Sequence, residues 1–115
     1  MLTPVRITYR GMTQTDALEA AVHDRIAWLE QHGARLNGCQ VAIESPHRHH
    51  QKGQHFHVRV DLTLPGGEVV AGRSPPDHVE HEDCYLAIRE AFRAARRQLD
   101  DRVRRRRDVA PAFAR

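Results

Sequence analysis

Lysine is almost missing from this chain of 115 residues, in which one Lys stands against seventeen Arg. Where Lys offers a point charge, Arg offers a planar fork of five donors that suits phosphate oxygens and stacks on bases. Cysteine is nearly as scarce. Cys39 and Cys84 lie far apart in the sequence and read as buried free thiols rather than a disulfide. No window approaches the roughly eighteen apolar residues of a membrane span, and the N-terminus lacks a signal-peptide apolar region. Nothing therefore points to export or to a membrane, and a cytoplasmic location is expected. The length suits one domain with a single core.

What is present is charge, and it is segregated. The net charge is only +3. Between Tyr85 and Arg107, however, nine Arg and no Lys stand against Glu90, Asp100 and Asp101, so this segment carries +6 and the remainder −3. Within it, Tyr85, Ile88, Phe92, Ala95, Leu99 and Val103 recur at spacings of three and four. At about 100° per residue these six fall within an arc of about 80°, which predicts a helix from Asp83 to Arg107 with one buried stripe. Arg89, Arg93, Arg96, Arg97 and Arg104 fall together on one flank of that stripe. A solvated helix more often mixes both signs in pairs one turn apart. A one-signed flank points to phosphate.

The rest of the chain supplies strands and one more helix. Val5, Ile7 and Tyr9 alternate with Arg6, Thr8 and Arg10 as a first strand. Thr15 is the expected N-cap of a first helix, which buries Leu18, Val22, Ile26 and Leu29 and ends near His32 with Gly33 past its end. Arg25 sits at the edge of that face, and Trp28, further round the same flank, reads as a rim residue over the helix pair. Cys39, Val41 and Ile43 mark a second strand, parallel to the first across a right-handed crossover. Residues 46–54 read as a polar loop. Phe56, Val58, Val60, Leu62 and Leu64 point inward from a third strand. A turn at Pro65, Gly66 and Gly67 leads to a fourth from Glu68 to Arg73. An acidic loop follows from Asp77 to Asp83, and Asp83 caps the last helix. The expected fold is α+β: a two-layer sandwich of order β-α-β-β-β-α, with a four-stranded mixed sheet and both helices on one face. Residues 1–107 form the single domain, and 108–115 are expected to be a disordered tail.

Other candidate sites are weaker. Of nine His, five (His47, His49, His50, His55 and His57) stand within eleven positions, and imidazole is a common metal ligand. No carboxylate or Cys joins them at a recurring ligand spacing. With Arg48 and Lys52 among them, the stretch reads rather as a solvated or phosphate-contacting loop, and no metal or other cofactor is assigned. Gly66 and Gly67 join two strands without a following helix, so they are turn residues and not a phosphate loop. Cys39 lies on an apolar strand face, where a thiol is inert. No catalytic motif is present, and no small-molecule substrate is implied.

Three local motifs in this order resemble the ribosome hibernation-promoting factor / ribosome-associated inhibitor family. They are Thr15, Asp16, Ala17 and Leu18 leading to Val22, Arg25 and Leu29; Gly66, Gly67 and Glu68 before a short strand; and Glu82 through Ile88 continuing to Arg97, Gln98 and Leu99. The resemblance as a whole covers roughly residues 5–105. The resemblance implies a cytoplasmic, non-enzymatic protein that sits on the small ribosomal subunit. Such a protein contacts 16S rRNA with basic residues of both helices, occludes the mRNA and tRNA channel and silences translation under stress. Arg25 and Arg97 stand where the family has basic residues. Trp28, Ala94 and Asp101 stand where it is commonly basic, with Arg93, Arg96 and Arg104 one position away, and the first helix carries Asp16, Glu19, Asp24 and Glu30. The RNA-binding set expected on this basis is Arg25, Arg89, Arg93, Arg96, Arg97 and Arg104. The rival readings are a structured-RNA binder not committed to ribosomes and a His-rich metal-binding module.

Overall fold

A computed structural model describes residues 3–45, 56–72, 80–81 and 83–113. The elements are β1 (Val5–Arg10), α1 (Asp16–Gln31), β2 (Gly38–Glu44), β3 (Phe56–Leu64), β4 (Gly67–Ala71), β5 (Glu80–His81) and α2 (Cys84–Phe113). The sheet runs β1-β2-β3-β4, with β1 and β2 parallel and the remaining pairs antiparallel. Alternation along each strand becomes three apolar rows across the sheet. Val5, Cys39, Leu62 and Val69 stand in register, as do Ile7, Val41, Val60 and Ala71, and Tyr9, Ile43 and Val58. A one-residue slip in any strand would turn its share of these rows to solvent, so burial itself fixes the register.

α1 forms where its sequence signals place it. The Thr15 hydroxyl accepts from the Leu18 N–H at 3.1 Å, and Leu18, Val22, Ile26 and Leu29 are buried. At the other end Gly33, at φ 96°, donates to Glu30 O, and Ala34 donates to Leu29 O. This Schellman ending needs a left-handed residue, which Gly supplies without a Cβ clash. The acidic character of α1 is partly turned towards β1: Glu19 accepts from the Tyr9 hydroxyl and Glu30 from the Thr3 hydroxyl.

α2 is capped by Asp83, whose Oδ1 accepts from the N–H groups of Tyr85 and Leu86 at 2.9 and 3.3 Å. Its buried face differs from the stripe expected from the sequence. Cys84, Ala87, Ile88, Ala91, Phe92, Ala94 and Ala95 are buried, whereas Tyr85 and Val103 are 50% and 53% exposed. The buried arc is rotated by about 60° towards the alanines. Alanines let the helix lie close on the sheet, so the close-packed side wins over the side with the larger apolar residues at its margin. Ala94, at a position commonly basic in the resembled family, is therefore a core residue with no route to solvent.

Other boundaries shift as well. α2 runs on past Arg107 to Phe113. The apolar period stops near Val103, but nothing that breaks a helix stands before Pro111, so the helix outlasts its period. β4 is Gly67–Ala71 rather than Glu68 to Arg73, and Arg73 lies outside the described residues. Glu80 and His81, expected in a loop, pair with His57 and Phe56 as the two-residue β5. The His-rich stretch 46–55 also lies outside the described residues. Among the described residues no helix is long and apolar enough to cross a membrane.

Candidate nucleic-acid interface

The two helices pack side by side on the sheet, and the flank of α1 that meets α2 carries Arg25 and Trp28. Sequence alone leaves open whether the Arg flank of α2 turns towards Arg25. Here it does, at one point. The Arg25 guanidinium carbon lies 4.8 Å from the centre of the Trp28 ring, and that of Arg96 lies 5.3 Å from the same centre. Cation–π attraction thus gathers cations from both helices onto one half-buried indole. Trp28 is itself held: the His32 ring lies 5.3 Å away, and His32 Nδ1 is 2.7 Å from the Trp28 carbonyl oxygen. The rim position expected for Trp28 is correct. Its role as the meeting point of two arginines was not legible, because Arg96 is distant in sequence.

From Arg96 the cationic face continues along α2. Arg89, Arg93, Arg97 and Arg104 are all exposed, on a strip that from Arg89 to Arg104 spans about 22 Å at 1.5 Å per residue. Short-range acids temper it. Arg93 pairs with Glu90 at 3.4 Å, Arg96 with Asp100 at 3.7 Å and Arg104 with Asp101 at 2.8 Å. All three are pairs at i,i+3 or i,i+4 on an exposed face, worth little each and readily exchanged for a phosphate. Among the described residues, the Arg89 and Arg97 side chains make no ion pair. Of the six arginines expected from sequence, Arg25 and Arg96 meet on Trp28, Arg89, Arg93 and Arg97 are exposed along α2, and Arg104, also exposed, pairs with Asp101.

Two further polar side chains of α2, outside the expected RNA-binding set, bond to the β3–β4 hairpin. Gln98 Nε2 donates to Val70 O at 2.9 Å, and Arg102 Nη2 donates to Gly66 O at 3.2 Å. Gly67 matters here, since a Cβ at that position would run into the Arg102 guanidinium. Through these two hydrogen bonds α2 clasps the β3–β4 hairpin.

Among the described residues, neither cysteine competes with this face as a site. Burial pushes the Cys39 thiol up to about 12 and the Cys84 thiol up to about 11, so both stay protonated at neutral pH. Among the described residues no three His, Cys, Asp or Glu side chains stand close enough to share a metal ion.

Known proteins resemble the chain in sequence and in fold. The ribosome hibernation promoting factor of Azotobacter vinelandii is 36% identical over 84 residues, covering 73% of this chain and 67% of that protein. A factor of the same name from Acinetobacter guillouiae is 29% identical over 113 residues, covering 93% and 95%. Among solved structures, a ribosomal subunit interface protein from Coxiella burnetii matches in fold with a TM-score of 0.65, over 86% of this chain and 96% of that one, at 14% identity. Residues 5–107 match the family described as Sigma 54 modulation protein / S30EA ribosomal protein. With all the strands and most of α2 inside that match, the chain belongs to this family.

Proposed function

We propose that this protein binds the ribosome and silences translation by occupancy; its relatives carry the name ribosome hibernation promoting factor. In this reading the Arg strip of α2, with Arg25 of α1, grips 16S rRNA phosphates on the small subunit. The body of the domain then blocks the mRNA and tRNA channel under stress, in the cytoplasm and without catalysing a reaction. The observation that supports the reading is the meeting of cations from both helices, where Arg25 and Arg96 share Trp28 beside an exposed, Arg-rich face of α2. Arginine forks make charge-assisted, often bidentate bonds to phosphate, and each contact displaces counterions from the nucleic acid.

Co-sedimentation with ribosomes across a salt series tests this. Binding at low salt that weakens steeply as salt rises, together with inhibition of cell-free translation relieved by excess mRNA or tRNA, is the expected result. Protein that stays in the supernatant at low salt and leaves translation untouched would overturn the ribosomal assignment. If the same protein then bound structured RNA on its own, the diverged RNA-binder reading would replace it. Trp28 and Asp101, at positions commonly basic in the family, are what favour that second reading.

A further inference from the structure

Beside the carboxyl end of α1 lies a cleft of about 390 Å³, within the range of small-molecule sites. Its floor is apolar, formed by Leu29 and Leu99, with Val103 as an exposed lip. Arginines stand round it, Arg35 just past α1 and Arg96 and Arg102 from α2, with the His32 imidazole beside them. Asp100 is the one acid among the lining residues, and it already faces Arg96 at 3.7 Å. Apart from Arg96, none of these residues belongs to the expected RNA-binding set.

An apolar floor under a cationic rim is complementary to a flat, weakly polar body that carries an anion. A bare phosphate would leave the floor unused, and an apolar side chain would leave the arginines unanswered. A nucleotide uses both. Its base would lie on Leu99 and Val103, with Asp100 able to accept from a base N–H. Its phosphate would sit between Arg35 and Arg102. Arg102 donates to Gly66 O through Nη2, and the guanidinium carries further donors that can turn to the ligand. The carbonyl end of a helix ordinarily repels an anion. Here the Leu29 and Glu30 carbonyls already accept from Ala34 and Gly33, which weakens that objection.

We propose that this cleft holds one unstacked nucleotide of the bound RNA strand. The inference rests on the RNA-binding reading, and Arg96 supplies the continuity: it lines the cleft and begins the strip, so base and neighbouring phosphates belong to one strand.

The test uses the full chain, with adenosine monophosphate, inorganic phosphate and a short single-stranded RNA as separate probes, followed by calorimetry. Trp28, the single Trp, reports locally because its ring packs on His32 of the cleft. The mononucleotide should bind saturably and change Trp28 fluorescence, with inorganic phosphate at least roughly tenfold weaker. Arg35→Gln removes a charge-assisted contact and should weaken both mononucleotide and RNA by roughly tenfold. Val103→Ala trims a half-exposed apolar lip and should weaken both by roughly threefold. Val103 lies outside the core, so its truncation leaves folding intact, which circular dichroism verifies. Arg105→Gln makes the same charge change outside the cleft and should have less than about a twofold effect. RNA binding that ignores Val103→Ala, with no saturable mononucleotide binding, overturns the cleft and leaves the RNA reading standing. Phosphate binding as well as the mononucleotide overturns the base site. Mononucleotide binding without RNA binding overturns the strand-borne source and the RNA reading together, leaving a site for free nucleotides. Binding of neither probe overturns both.

Discussion

α1 and α2 cover the same sheet by different means. α1 docks through Leu18, Val22, Ile26 and Leu29, four large aliphatics on one narrow face. α2 docks through Ile88 and Phe92 set among Cys84 and four alanines, Ala87, Ala91, Ala94 and Ala95. A helix with large side chains on its contact face announces its phase, because every apolar residue on it is also a buried one. A helix packed on alanine hides its phase. Alanine counts for little in a hydrophobic pattern, yet it decides which side can approach the sheet.

This contrast can be broken most directly at Phe92, which is fully buried. Phe92→Ala should cost about 3–5 kcal/mol in urea unfolding; a loss under about 1 kcal/mol would mean α2 lies in another phase. Ala94 separates the two helices more sharply. Ala94→Arg forces a charged side chain into the core and should destabilise by about 3 kcal/mol or more. Ala20→Arg, on the exposed side of α1, should stay within about 0.5 kcal/mol. Equal stability of the two variants would return Ala94 to the surface.

The outer face of α2 gives the next effect. Arg97→Glu should lower affinity for ribosomes or RNA by about tenfold or more, and Arg97→Ala should flatten the salt dependence by about one contact. Arg105→Glu should do less, because Arg105 lies off the strip. Equal losses from both would point to a diffuse attraction for charge without a defined face. The smallest effect belongs to Tyr85, half exposed at the start of α2. Tyr85→Ala should change stability by no more than about 0.5 kcal/mol, and a larger loss would restore the stripe drawn through Tyr85 and Val103.

Local signals were legible in the sequence. Thr15 and Asp83 as caps, Gly33 as a helix end and the inward set of β3 all follow from spacing within one element, and the structure places each as expected. What the sequence did not reveal depends on two elements meeting. Arg96 reaches Trp28 only because α2 lies beside α1. Arg102 and Gln98 find carbonyls of the β3–β4 hairpin, far from them in the chain. β5, two residues long, is too short to carry any period and exists only as pairing to β3. For the candidate interface, the placing of arginines along α2 follows from spacing, whereas the meeting of Arg25 and Arg96 on Trp28 does not.

The indole shared by Arg25 and Arg96 bears on kinetics as much as on structure. A long cationic side chain ordinarily loses about 0.5–1.5 kcal/mol of conformational freedom when a partner immobilises it. Two arginines already resting on Trp28 have given up part of that freedom in the unbound protein, so a phosphate arriving there meets groups that need little rearrangement. Arrival of a polyanion is governed mainly by long-range attraction, which the indole leaves unchanged. Its contribution falls instead on how long the complex lasts, because affinity differences among variants of one interface reside mostly in the rate of departure. For the proposed ribosome-bound state, that dwell time matters more than the speed of encounter.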